Sequence, residues 1–212
     1  DHYLGPILFE PAAVQVMSCL GMAAGTEAVL ELAGGTGRLT RHLIKGFPPP
    51  VRIVATDLNS DMLEIAKQRL DDAAVLYSSE DAQNLSFADN SFDLVVCQFG
   101  LMFFPDKARG AKEAFRVLRP GGKCFFSTWE RVEGIPMLDL IFNHVLMPAI
   151  NDADPARFLV PFSLYDPTAL QTLMQHAGFE KVQYNKITFQ PGQTNAETIV
   201  TGLFSKHSLS LI

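Results

Sequence analysis

The sequence predicts an α/β fold, doubly wound around a mostly parallel sheet with helices on both faces. Three observations carry that expectation. Up to Trp129, short apolar runs alternate with segments of helical period, the rhythm of successive βαβ units. The run Phe92-Asp93-Leu94-Val95-Val96-Cys97-Gln98 is almost continuously apolar, as a central strand buried on both faces must be. The first apolar run, Ala28-Val29-Leu30, passes through Glu31-Leu32-Ala33 into Gly34-Gly35-Thr36-Gly37 and then Arg38–Ile44, which reads as strand, tight glycine turn and helix.

The elements follow in order. Glu10 to Met22 has Ala13, Val14, Met17 and Leu20 at helical spacing, and Pro11 fits a first turn. The first strand covers about 27–33 and its helix 36–45, closed by Phe47-Pro48-Pro49-Pro50. A second strand, 51–56, ends at Asp57, and Asn59 or Ser60 caps a helix over 61–70. A short third strand spans 73–77. After a polar loop, 78–91, come the buried fourth strand, a helix over 105–118 and, past Arg119-Pro120-Gly121-Gly122, a fifth strand over 123–129.

Beyond Trp129 the rhythm changes. An apolar helix is expected over 135–150, then a proline-containing loop over 151–162, together a helical lid insertion after the fifth strand. Asp166, Pro167 and Gly178 mark the N-cap, first turn and C′ of a helix. Residues 179–190 alternate as a strand does, and 195–205 read as helical. The chain is expected to be one domain over 1–212: a helical N-terminal segment (1–26), a ligand-binding core (27–130), the lid (131–165) and a C-terminal part (166–212) that stops before its sheet is complete. It opens on Asp1, so the natural N-terminus is expected to lie upstream.

Composition narrows the function classes. With 212 residues and 48% hydrophobic content there is material for one substantial core. A net charge of −6 and the lack of a basic run argue against a nucleic-acid partner. No apolar stretch has the length of a membrane span. Cys19, Cys97 and Cys124 are odd in number and widely spaced, which favours a reduced, cytoplasmic protein, and no Cys/His cluster has metal-ligand spacing.

A glycine turn leading into a helix presents main-chain N–H groups and the positive end of the helix dipole to a ligand, or is simply a tight turn. An acid after the second strand, here Asp57, accepts from vicinal ribose hydroxyls, or caps the next helix. The dinucleotide fingerprint needs a further glycine where Gly35-Thr36-Gly37-Arg38-Leu39 is followed by Thr40, so a nicotinamide-dependent oxidoreductase on a Rossmann-like fold is the weaker alternative.

Four blocks in order decide between the two ligand classes: Val29–Gly37, Val54–Leu63, Asp81–Val95 and Glu113–Gly122. Together they resemble class I S-adenosylmethionine-dependent methyltransferases, of the sort that includes ubiquinone and menaquinone biosynthesis enzymes. The resemblance is tight from Ala28 to Trp129 and looser through Ala177-Gly178-Phe179. It implies S-adenosylmethionine as cofactor, S-adenosylhomocysteine as product and a small-molecule methyl acceptor. A non-catalytic S-adenosylmethionine-binding protein is the other alternative.

Carried over position by position, the resemblance implies that Ala33, Gly34, Gly35 and Gly37 let main chain approach the cofactor's methionine part. Glu31 would lie near its ammonium, or be a solvated strand-end acid. Asp57 would hold the ribose. Leu58 and Met62 would flank the adenine, or pack in the core. Asp81, with the Ala82 N–H, would take the adenine's exocyclic amine, or form a turn. Gln98 and Phe99 end the fourth strand, where side chains reach cofactor and acceptor. Tyr3 and Phe9, before the first helix, close over the cofactor or make a coil contact.

Methyl transfer from a sulfonium is an in-line displacement that needs alignment and exclusion of water more than it needs an acid or base. No residue therefore announces itself as catalytic. Of His2, His144 and His176, His144 in the expected lid is the best placed, or is a packed or solvated histidine, and Arg157 either meets an anionic substrate or is a surface arginine. Trp129, Phe142, Phe158 and Phe162 give the lid an apolar character suited to a partly hydrophobic acceptor. Cys97 reads as a small core residue rather than a nucleophile.

Overall fold

The computed structural model describes residues 3–21, 25–72, 74–149, 155–190, 192, 195, 197–199 and 201. Five strands form one sheet: β1 (Ala28–Leu32), β2 (Arg52–Asp57), β3 (Val75–Ser79), β4 (Phe92–Gln98) and β5 (Leu118–Ser127). Their order is β3-β2-β1-β4-β5 and every pairing is parallel. The chain winds outward from β1 to β3, then returns to the other side of β1 with β4. The winding reverses between β1 and β4, and the carboxyl ends of the strands at such a reversal are the crevice where doubly wound sheets take ligands.

Helices α1 (Glu10–Leu20), α2 (Arg38–Gly46), α3 (Ser60–Leu70) and α4 (Lys107–Val117) supply the layers on either side. One face packs Ala13, Val16, Leu39 and Leu43 against Val29, Ile53, Ala55 and Val96. The other packs Ala114 and Val117 against Leu30, Leu32, Val54, Val95 and Cys97. Alternate residues of β1 thus serve opposite cores, which explains its unbroken apolar sequence. Glu31 is the exception: on the face of Val29, it lies in the α2 core and is only 2% exposed.

Most junctions form where the sequence places them. Asn59 caps α3, its Oδ1 accepting from the N–H groups of Asp61 and Met62. Asp106 caps α4 and Asp166 caps α7 (Pro167–Ala177). Gly178 follows α7 with φ 116°, and a Cβ there would come within 2.7 Å of the Phe115 ring.

Beyond Trp129 the chain turns at Val132–Gly134 into α5 (Pro136–Asp139), a wider helical stretch (Leu140–Leu146) and α6 (Met147–Ala149). Residues 155–162, expected as loop, wind as 3₁₀ turns. Val132, Leu138, Phe142, Phe158 and Phe162 bury one another, with Trp129 packed against them, so the segment has a small core of its own. Nothing in this arrangement shows it closing as a lid.

The strand expected over 179–190 is absent. The segment has no ladder partner among the described residues, and Tyr184 and Ile187 are exposed. Side-chain anchors hold it instead: Phe189 packs on Trp129, and Lys186 pairs with Glu130 at 2.5 Å. Alternation supplies the pattern of a strand, but a strand also needs a free edge in register, and these anchors lie past the end of β5. The helix expected over 195–205 falls largely outside the described residues, as do His2 and residues 151–154.

Candidate functional site

The crevice is walled on one side by the turn after β1. Three residues there take positive φ: Ala33 (52°), Gly35 (56°) and Gly37 (82°). Glycine meets that demand freely at 35 and 37, while Ala33 adopts it as a non-glycine residue. Gly34 is needed for a different reason. A Cβ on it would lie 3.3 Å from the carboxyl carbon of Glu31, so the missing side chain leaves that carboxylate directly under bare main chain.

The turn is tied down from below. Asp57 Oδ2 accepts from the Gly35 N–H at 2.8 Å, and its Oδ1 accepts from the Asn59 N–H at 2.9 Å. The Gly34 N–H donates to the Thr56 carbonyl at 2.8 Å, and the Thr56 hydroxyl donates to the Glu31 carbonyl at the same distance. Both carboxylate oxygens of Asp57 retain a lone pair beyond these contacts. Gly37 starts α2 with no capping side chain.

Glu31 is an acid in an apolar core, held by Thr40 through both its hydroxyl and its main-chain N–H. The Thr40 hydroxyl donates to its Oε2 at 2.6 Å. Burial pushes the Glu31 carboxyl up to about 8, against the lowering effect of Thr40 and reinforced by the Asp57 charge. At neutral pH the carboxyl is mostly protonated, and a cation brought beside it would ionise it.

The remaining expected residues fall around this centre. Met62 reaches back from α3, its sulfur 3.8 Å from where a Gly35 Cβ would be. Leu58 is not core: it stands 74% exposed beside Asp57. The Glu80 N–H donates to the Asp57 carbonyl, which sets Asp81 and Ala82 at the carboxyl end of β3. Asp81 is exposed and forms the turn that its position allows, with Oδ1 accepting from the Gln83 N–H at 2.8 Å. Ala82 packs against the core of β1 and β4.

At the end of β4, Gln98 Nε2 donates to the Phe9 carbonyl at 3.1 Å, which fixes the segment before α1 across the crevice. Among the described residues, Gln98 Oε1 is buried without a partner, and so is the Ser127 hydroxyl, its register partner on β5. Phe99, at φ 55°, stacks on Trp129 with centroids 3.9 Å apart, and Phe9 meets both rings. Tyr3 is exposed.

Two of the weaker candidates are surface groups. His176 is exposed on α7, and His144 is exposed beside Asp139. Arg157 lies over the Phe158 ring. Cys97 is fully buried, and desolvation pushes its thiol up to about 12, which leaves it unreactive at neutral pH. Thiol-labelling of the folded protein should therefore modify exposed Cys19 and spare Cys97, as peptide mapping would show.

Several residues of the site escaped the sequence reading. Thr40 shares the buried stripe of α2 with Leu39 and Leu43, and a hydroxyl in that stripe is the available signal. Gly100 is another: a Cβ there would lie 2.5 Å from Ala33 Cβ and 2.7 Å from the Cys97 sulfur, neither able to yield. Gly100→Ala should cost about 1–3 kcal/mol in urea unfolding by pushing β4 off the glycine turn. Arg116 was also missed. It ties the loop after β3 to α4 through Glu113, Asp89 and the Leu85 and Phe87 carbonyls.

Among the described residues there is no cluster of three or more His, Cys, Asp or Glu fit for a metal, and no helix is long and apolar enough to cross a membrane.

Residues 12–194 match the model of the ubiE/COQ5 methyltransferase family. The ubiquinone/menaquinone biosynthesis C-methyltransferase UbiE of Haemophilus ducreyi is 34% identical over 185 residues, covering 81% of this chain and 71% of that one. Its Escherichia coli counterparts are 32% identical, covering 81% and 73%. Among solved structures, a SAM-dependent methyltransferase from Thermotoga maritima superposes with a TM-score of 0.56 at 25% identity, covering 80% of this chain and 70% of that one. The fold alone is shared with Haemonchus contortus phosphoethanolamine N-methyltransferase 2, solved with S-adenosylhomocysteine and phosphomonomethylethanolamine. There the TM-score is 0.62 at 20% identity, with 80% and 37% covered. This chain belongs to the ubiE/COQ5 methyltransferase family and is an S-adenosylmethionine-dependent methyltransferase.

Proposed function

We propose that the protein methylates a carbon of a small, ring-bearing acceptor, and that the turn after β1 with Glu31, Asp57 and Asp81 holds the cofactor. The observation that carries the reading is the Glu31 carboxylate, buried beneath glycine main chain with no cationic partner among the described residues. That arrangement fits an α-ammonium set against the turn, and Asp57 fits a pair of vicinal hydroxyls. Leu58 and Met62 offer apolar flanks for a purine, and Asp81 with the Ala82 N–H offers an acceptor and a donor for its edge. When bound, the sulfonium supplies an electrophilic methyl group.

The acceptor side rests on the other wall of the crevice. Phe9, Phe99 and Trp129 form an aromatic surface, and Gln98 Oε1 and the Ser127 hydroxyl are polar atoms with capacity to spare. These suit a ring carrying hydroxyl groups, in keeping with the quinone biosynthesis named for the UbiE relatives. Residues 27–130 then serve the cofactor, and 131–165 cover the acceptor, within one domain. Alignment and exclusion of water are what these residues contribute to the displacement.

Calorimetry with S-adenosylmethionine and S-adenosylhomocysteine, followed by transfer of a labelled methyl group to hydroxylated aromatic rings, tests this. Binding of both and a ring-methylated product are expected; transfer to amines alone would contradict it. Because an ammonium requires Glu31 ionised, affinity for S-adenosylhomocysteine should climb as pH rises from 6 to 8 and then level off. A pH-independent affinity across that interval would remove Glu31 from the ammonium.

A further inference from the structure

Glu31 depends on a neighbour outside the glycine turn. Its carboxylate projects from β1 into an apolar core, where a buried acid is free to turn away from the crevice unless something fixes it. Among the described residues, Thr40 donates to it: its hydroxyl lies 2.6 Å from Oε2, its main-chain N–H bonds the same carboxylate, and the residue is fully buried. Thr40 sits in the first turn of α2, the helix that the glycine turn launches. Helix, turn and carboxylate therefore form one unit.

We propose that Thr40 is a positioning residue for cofactor binding: its hydroxyl holds the Glu31 carboxylate beneath Gly34, aimed at the cofactor's ammonium. The inference rests on the cofactor reading above.

Chemistry favours this over simple packing. A hydroxyl donor stabilises the ionised carboxylate, which is the form that an ammonium needs. The titratable groups that interact with Glu31 are Asp57 on β2, Tyr77 on β3 and Cys97 on β4, and each is an anion when ionised. Burial pushes the Tyr77 hydroxyl and the Cys97 thiol up to about 12 and holds both neutral, so the charge that opposes ionisation is that of Asp57, and Thr40 is the group that favours it. Valine has the same shape as threonine without the donor.

Thr40→Val and Thr40→Ser should be compared with wild type by titration with S-adenosylhomocysteine and with 5′-methylthioadenosine. The second ligand keeps the nucleoside and sulfur but has no amino acid. Thr40→Val should weaken S-adenosylhomocysteine binding about tenfold at pH 7.5, as expected for loss of one hydrogen bond to a charged group. It should leave methylthioadenosine within about twofold of wild type, which also certifies that the site is folded. The rise of S-adenosylhomocysteine affinity with pH should move to higher pH in Thr40→Val, and Thr40→Ser should restore both affinity and profile.

Unchanged S-adenosylhomocysteine affinity in Thr40→Val would overturn the proposal. Equal loss of both ligands would do the same, since it would mark Thr40 as packing only. A wild type that binds neither ligand would defeat the cofactor reading itself, and this inference with it.

Discussion

Glu31→Gln should make the empty protein more stable while weakening its hold on the cofactor. In the unfolded chain a glutamate carboxyl titrates near 4.5, and in the folded protein near 8. Folding at neutral pH therefore takes up a proton. Stability from this group is complete below the unfolded value and is lost as pH rises toward 8. At pH 7 the uptake costs about 3 kcal/mol, from about 1.4 kcal/mol for each pH unit above the unfolded value. Glutamine is uncharged in both states and escapes that cost. Urea unfolding should show the variant ahead by about 3 kcal/mol at pH 7, with the gap closing toward pH 5. Affinity for S-adenosylhomocysteine should fall at least about tenfold in the same protein, because a neutral amide replaces the partner of an ammonium. A variant no more stable than wild type would mean that Glu31 is ionised and satisfied in the core.

Asp57→Ala carries the second large effect. Its carboxylate already pins the turn through the Gly35 N–H and the start of α3 through the Asn59 N–H. Removing it loosens the turn and removes the acceptor assigned to the ribose. Hydrogen bonds to a charged group contribute about 1.5–3 kcal/mol each, so calorimetry should show binding weaker by about 10- to 150-fold. Asp57→Asn, which keeps one carbonyl oxygen, should fall between. Equal affinity in Asp57→Ala and wild type would confine Asp57 to its structural contacts.

The central sheet was legible because its signals are local. Apolar runs, the glycines of 34–37 and the caps at Asn59 and Asp166 act over a few residues, and the strands and helices form within a few positions of expectation. Partnerships across the fold were harder to see. Thr40 reaches Glu31 only because α2 lies over β1, and Gly100 is required only because β4 ends against Ala33. Phe99 at positive φ carries no signature of its own in the sequence. The alternation of 179–190 misled because a strand is defined by its neighbour, and Trp129 and Glu130 hold this segment by its side chains instead. At the site, Asp57 was read from its place after the second strand, and Glu31 and Asp81 from the resemblance to the methyltransferase family. The depth at which Glu31 lies, and hence its proton, follows from packing alone.

A crystal structure of the complex with S-adenosylhomocysteine is the most direct test. The account predicts the amino-acid tail along Gly34–Gly37 with its ammonium facing Glu31, and both ribose hydroxyls on Asp57. A nucleoside bound elsewhere, with Glu31 and Asp57 touching only protein, would contradict it.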